Sequence, residues 1–227
     1  MKDLLIGTSV TQTDDTSPFT VGAKYAIKSI SSDAFELKDF LFDLTISNLD
    51  RQFVEEYYQM SQSFATMQFG MDPEMFGKLQ SLAYKFLSAS PGIAVKPLKF
   101  TFNDGPVVVN LNIIADGSQI KDASQLTLQN MQSLRSILDA TADVEVGKAM
   151  ALETAKSQIK TRMRTSMAAQ GQEVTDEQLN QVADQQAPAM LSSLIAQGFV
   201  VETDTTYRSS AKVVKGVLEV NGKAMPF

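Results

Sequence analysis

The chain contains no histidine and no cysteine. Without histidine there is no Ser–His or Cys–His couple and no imidazole metal ligand, so the commonest hydrolase and zinc arrangements are excluded together. Without cysteine there are no disulfides, thiol nucleophiles or thiolate-bound metals, a composition that fits cytosol and periplasm equally well. No run approaches the roughly 20 apolar residues of a membrane-spanning helix. The opening Met1-Lys2-Asp3 leads into Leu4-Leu5-Ile6, too short for a signal-peptide core. Positive charge is also scarce. The 20 Lys and Arg stand against 26 Asp and Glu, a net charge of −6, whereas a nucleic-acid surface needs clustered cations to displace counterions from phosphates. DNA and RNA are not expected partners. The main basic run, Lys156, Lys160, Arg162 and Arg164, reads first as a solvated helix face and only second as a headgroup or carboxylate contact.

Phosphate-binding glycine motifs are missing as well: there is neither Gly-x-x-x-x-Gly-Lys nor Gly-x-Gly-x-x-Gly, and the 12 glycines fall at turns and helix ends. Asp104-Gly105 and Asp116-Gly117 lack the alternating oxygen ligands of a calcium loop and read as turns. The carboxylate pairs Asp14-Asp15 and Glu55-Glu56 are what is left for acid–base work. Adjacent helical residues point about 100° apart, so Glu55 and Glu56 read as solvated. No catalytic residue, cofactor or metal is expected.

What is present is enough apolar material for a core. The 227 residues are 44% hydrophobic and 20% charged, the balance of a globular domain that needs no staple. Residues 1–24 read as an N-terminal strand, Leu4 to Val10, and a polar loop, expected as the cut end of a longer protein; residues 25–227 read as one α+β domain. From Tyr25 to Ser47 the chain alternates with a phase slip. Phe35 and Leu37 share one parity, and Phe40, Phe42, Leu44 and Ile46 the other, which calls for a bulge near Lys38-Asp39. Asp43 and Thr45 on the opposite side predict a sheet with one wet face, the habit of antiparallel sheets.

A helix is expected after Asn48 to Asp50 through Met60, its apolar stripe toward the sheet, and another from the Asp72 cap and Pro73 through Phe86. Leu98 to Phe102 and Val107 to Ile113 form a hairpin around Asn103-Asp104-Gly105. A short helix over Leu126 to Leu138, a one-sided strand over Ala140 to Val146 and a long helix over Lys148 to Gln170, stopped by Gly171, come next. Thr175 and Gln178 have capping-box spacing, and Pro188 is expected to kink or divide the helix they start. Phe199 to Glu202, Tyr207 to Val214, Val217 to Val220 and the turns Lys215-Gly216 and Asn221-Gly222 predict a terminal meander. The whole reads as a twisted antiparallel sheet packed on one face by amphipathic helices, in ββα-like units.

The feature that points to binding is the 11 Met and 13 Phe. On helix faces, Met60, Met67, Met71, Met75, Phe76, Met163, Met167 and Met190 form a candidate apolar binding surface, because flexible thioethers repack around acyl chains or partner helices. The same residues read first as ordinary core fillers and only second as that surface.

The C-terminal run Leu194-Ile195-Ala196-Gln197-Gly198-Phe199, Tyr207, and Lys215-Gly216-Val217-Leu218-Glu219-Val220-Asn221-Gly222-Lys223 resembles the signature of the YdgA-like bacterial proteins, a family of unknown function. Phe40 to Asp50 before a helix, and Ser90-Pro91-Gly92-Ile93 before the Leu98 to Ile114 hairpin, are similar in order. The resemblance implies the C-terminal portion of a Gram-negative envelope protein, held by an N-terminal inner-membrane helix and facing the periplasm. It carries no catalytic residues over. The expected function is a non-enzymatic domain that binds a lipid-like ligand or an envelope protein; the alternative is an assembly module that self-associates through a strand edge or the long helix.

Overall fold

A computed structural model of the chain describes residues 2–32, 35–66, 73–103, 105–123, 136–172 and 174–225. Period-two alternation dominates the sequence, and the strands follow it: β1 (Lys2–Thr11), β2 (Phe19–Ser31), β3 (Glu36–Leu49), β4 (Gly92–Phe102), β5 (Gly105–Ala115), β6 (Leu138–Gly147), β7 (Val201–Glu202), β8 (Thr206–Val214), β9 (Val217–Val220) and β10 (Lys223–Met225). All are antiparallel in one sheet of order β1-β2-β3-β4-β5-β6-β8-β9-β10, with β7 on β8. The helices are α1 (Arg51–Thr66), α2 (Pro73–Ser88), α3 (Lys148–Ala169) and α4 (Asp176–Ala196). The fold is α+β.

Local chemistry sets most boundaries. Asp50 Oδ1 accepts from the Gln52 and Phe53 N–H groups at 2.8 and 3.1 Å and so starts α1. Thr175 and Gln178 complete a capping box before α4. The turns Lys215-Gly216 and Asn221-Gly222 each have two successive positive φ values, the geometry that matches strand twist. The bulge expected at Lys38-Asp39 is there: Asp39 has φ 52°, and the β3–β4 register shifts between Lys38 and Leu41.

Three readings of the sequence are corrected. The alternating run from Tyr25 to Ser47 is two strands, because β2 ends at Ser31 and β3 begins at Glu36. The fourth strand starts at Gly92, not Leu98, since Pro97 sits at a register shift between Val95 and Leu98, where a missing donor costs no ladder bond. Pro188 does not divide α4. It lies on the exposed side with Asp184, whose carbonyl the missing N–H would have engaged and which is left open to solvent. The helix read over Leu126 to Leu138 lies up to residue 135 outside the described residues, and Leu138 opens β6.

The helices pair with each other as much as with the sheet. α3 and α4 pack around Ala155, Ile159, Ala183 and Ala187, with Met163, Val182, Met190 and Leu191 closing the contact. This pair lies against β5, β6 and β8 through α3. α1 and α2 form an antiparallel hairpin inserted between β3 and β4. Phe53 meets Phe86 with ring centroids 5.0 Å apart, and Glu56 pairs with Lys85. Tyr84 Oη and Gln80 Nε2 donate to the carbonyls of Lys121 and Ala123, tying α2 to the segment after β5. There Gly117 passes so close that an added Cβ would stand 2.3 Å from the Leu87 carbonyl oxygen.

Candidate apolar binding face

Antiparallel pairing carries each side chain's face across the whole sheet. One row runs Val10, Val21, Ile46, Ile93, Ile113, Ala140, Val213 and Leu218 from β1 to β9. A second runs Ile6, Tyr25, Phe42, Leu98, Val109 and Val144 from β1 to β6. The row on the opposite face is Ser9, Gly22, Thr45, Ala94, Asn112, Thr141, Lys212 and Glu219. Lys24 and Asp43 pair across strands at 3.3 Å on that same polar side. The sheet has one apolar and one wet face, as the alternation predicts.

The apolar face is covered over only part of its width. Val144 and Val146 of β6 and Tyr207 of β8 look into a cleft of about 280 Å³ roofed by Ala151 of α3 and Leu191 and Leu194 of α4. Across β1 to β4 the single buried residue is Leu49, at the end of β3. Phe40, Phe42, Leu44 and Ile46 are only half-buried, no more than Asp43 and Thr45 on the wet side. Toward the β1 edge exposure rises, to 38% at Tyr25, 58% at Ile6 and 67% at Val10. Four strands about 4.8 Å apart and some seven residues of about 3.3 Å span roughly 400–500 Å² of sheet, over which the side chains are only partly covered. The largest apolar patch of a monomer is of this order and is often functional.

The methionine and phenylalanine residues singled out on helix faces are divided between the two helix pairs. Met60 and Met75 line a cleft of about 470 Å³ between α1 and α2, together with Lys78 and Leu82. Phe76, on α2, is exposed. Met163 and Met190 close the α3–α4 core and border a cleft of about 270 Å³ with Ile159. Met167 is half-buried on α3. Met67 and Met71 lie outside the described residues. The two groups line different clefts. The uncovered face of β1 to β4 is built from Phe, Tyr, Leu, Ile and Val instead. Its sequence signal was the alternation itself, but which rows align depends on register.

Charge is kept for structure. Two members of the basic run are engaged within the helix pair: Lys156 reaches Glu153 at 3.0 Å and Asp184 at 2.9 Å, and Arg164 pairs with Asp176. The hydrogen bond to Asp184 raises the Lys156 pKa, and the same bond lowers that of Asp184. Glu145 is lowered by its bonds from Arg208 and Thr206, and Lys148 is raised by Glu202. Of the Asp14-Asp15 pair, Asp14 is a turn anchor. Its Oδ1 accepts from the Thr16 hydroxyl at 2.7 Å and from the Ser17 and Thr16 N–H groups at 2.8 and 2.9 Å, which hold its pKa at about 2. On the wet face a polar cleft of about 410 Å³ includes Asn110, Asp143, Ser210 and Asn221. Asn221 is committed to the backbone there, accepting from Ser210 N–H and donating to the Gly198 carbonyl. Among the described residues no three acidic side chains gather within reach of one metal ion.

Residues 1–227 match the model of a family described as bacterial protein of unknown function, DUF945. The chain belongs to this family. No curated protein and no solved structure matches it. Among the described residues of this family member, no helix is long and apolar enough to cross a membrane.

Proposed function

We propose that this chain is a non-enzymatic binding domain of the bacterial envelope that receives a lipid-like, acyl-chain ligand on the apolar face of β1 to β4. The resemblance of its C-terminal run to the YdgA-like proteins supports placing it as the C-terminal portion of a periplasmic protein tethered to the inner membrane. The observation that carries the binding reading is the row Ile6, Tyr25, Phe42, Leu98 and Val109, apolar across five strands and covered by no buried contact over the first four. An alkyl chain laid along the row removes its remaining apolar surface from water. The row itself is uncharged, so an alkyl chain laid along it desolvates no ion.

Native mass spectrometry and solvent extraction of the purified chain test this. Acyl-bearing molecules are expected to co-purify, and Phe42→Asp is expected to abolish their retention. A clean apo spectrum, with no uptake of added fatty acid or phospholipid, would overturn the reading.

A second reading rests on β1. Among the described residues its outer edge has no partner strand over ten residues without a proline, whereas β10, at the far edge, is three residues long. That edge favours self-association by strand addition. Light scattering separates the two, because a strict monomer at all concentrations rules the assembly reading out.

A further inference from the structure

Beneath the α3–α4 pair lies an apolar space separate from the open face of β1 to β4. Its floor is Val144 and Val146 of β6 and Tyr207 of β8, and its roof is Ala151 of α3 with Leu191 and Leu194 of α4, around about 280 Å³. The space exists because α3 sets short side chains over the sheet, Ala151 and, four residues on, Ala155. Most polar groups of the lining residues are spent elsewhere. Thr154 Oγ1 donates to the Met150 carbonyl and Ser209 Oγ to that of Phe199, each at 2.8 Å. Arg208, the one charged residue of the lining, is turned to Glu145 on the wet side of the sheet. The amide of the exposed Gln158 and the Tyr207 hydroxyl are what remain.

We propose that this cleft takes the end of a single alkyl chain. Floor and roof face one another, so a flat surface, whether of a second copy or of another protein, does not reach the walls. A peptide segment threaded between them would bury a donor and an acceptor on each residue, against walls that offer only Gln158 and Tyr207. Hydrocarbon carries neither group and meets no unpaired charge there. Length agrees with this occupant. From Ala151 to Gln158 the cleft follows α3 for about 10 Å, whereas an acyl chain reaches about 15 Å, half of a bilayer's hydrocarbon core. The cleft therefore holds the end of such a chain and leaves the remainder outside. Val144 lines the cleft and also closes the row that runs from Ile6 through Tyr25, Phe42, Leu98 and Val109, so the remainder continues onto the open face. That continuation rests on the acyl-ligand reading; the cleft does not.

The test is a titration of the full chain, methyl-labelled at Val, Leu and Ile, with 1-octanol, a neutral alkyl chain short enough for the cleft alone. Saturable methyl shifts are expected at Val144, Val146, Leu191 and Leu194, with contacts from the octanol methyl group to the same side chains. Ala151→Phe is expected to weaken octanol binding at least about tenfold with an unchanged melting curve, since its ring fills the space. Phe42→Asp, on the open face, is expected to leave octanol binding intact. Absence of saturable shifts in the wild-type chain, shifts confined to β1 to β4, or unchanged affinity in Ala151→Phe would overturn the proposal. So would shifts at the cleft methyls that grow with protein concentration without octanol, since a second copy then fills the space. Octanol binding in the cleft of a chain that retains no acyl-bearing molecule keeps this inference and removes only the open-face reading. Acyl retention without a cleft response removes this inference and keeps that reading.

Discussion

Tyr25 of β2 and Phe42 of β3 stand directly opposite one another, their ring centroids 6.2 Å apart and their planes at 31°. Neither is buried. Such a pair is worth about 0.5–1.5 kcal/mol beyond its area, which helps hold two strands that lack a cover. Phe42→Ala is therefore expected to cost about 1–2 kcal/mol in urea unfolding, well below the roughly 3–5 kcal/mol of a fully buried phenylalanine. A cost in the upper range would mean that the face is covered in solution.

Pro188 sits inside an unbroken α4 and is exposed. It gives up a helical hydrogen bond and is a poor helix former, by about 3 kcal/mol against alanine in an interior position. Pro188→Ala is expected to raise stability by about 1–3 kcal/mol, seen as a higher urea midpoint with an unchanged slope. The expectation fails if the midpoint falls.

Lys156 ties α3 to α4 through Asp184 at 2.9 Å. Asp184 has a lowered pKa in the folded chain, so its contribution is complete above the ordinary carboxylate range and fades as pH falls through the lowered value. Lys156 has a raised pKa, so its contribution is complete below the ordinary lysine value and fades only as pH rises through the raised one. The melting temperature of wild type relative to Asp184→Asn should accordingly shrink at the acid and alkaline ends and be largest between them. A difference flat with pH would remove the ion pair as its cause.

Asp14 offers a sharper titration. Its folded pKa of about 2 lies below the ordinary 3.8, so its turn bonds are fully present above about 4 and are lost as pH falls through 2. Carboxyl carbon chemical shifts should place its midpoint near 2. The Thr16→Ala variant should move that midpoint upward by removing the hydroxyl donor that lowers it most. A midpoint near 4 in wild type would show the turn open in solution.

Much of this architecture was legible because the relevant forces are local. Asp50, the Thr175–Gln178 box and the Asn221-Gly222 turn act on backbone groups within four residues of themselves, so spacing alone announces them. The alternation of Phe40, Phe42, Leu44 and Ile46 against Asp43 and Thr45 likewise assigns sides, because a strand's period is two. That Pro188 leaves α4 undivided was not legible, because its effect depends on which side of the helix faces water, and that is settled by packing.

What the sequence by itself determined is the alphabet of the fold: an antiparallel α+β chain with one wet face, and without the residues for thiol or imidazole chemistry. Tertiary structure alone decided which side chains share a surface. Register joined Ile6, Tyr25, Phe42 and Leu98 across residues far apart in the chain, while helix pairing sent Met60 and Met75 to one cleft and Met163 and Met190 to another. It also placed α3 and α4 over β5, β6 and β8 and left β1 to β4 open. The physical reason is range. Alternation fixes which way a side chain points, but whether anything covers it depends on where a helix distant in sequence comes to rest.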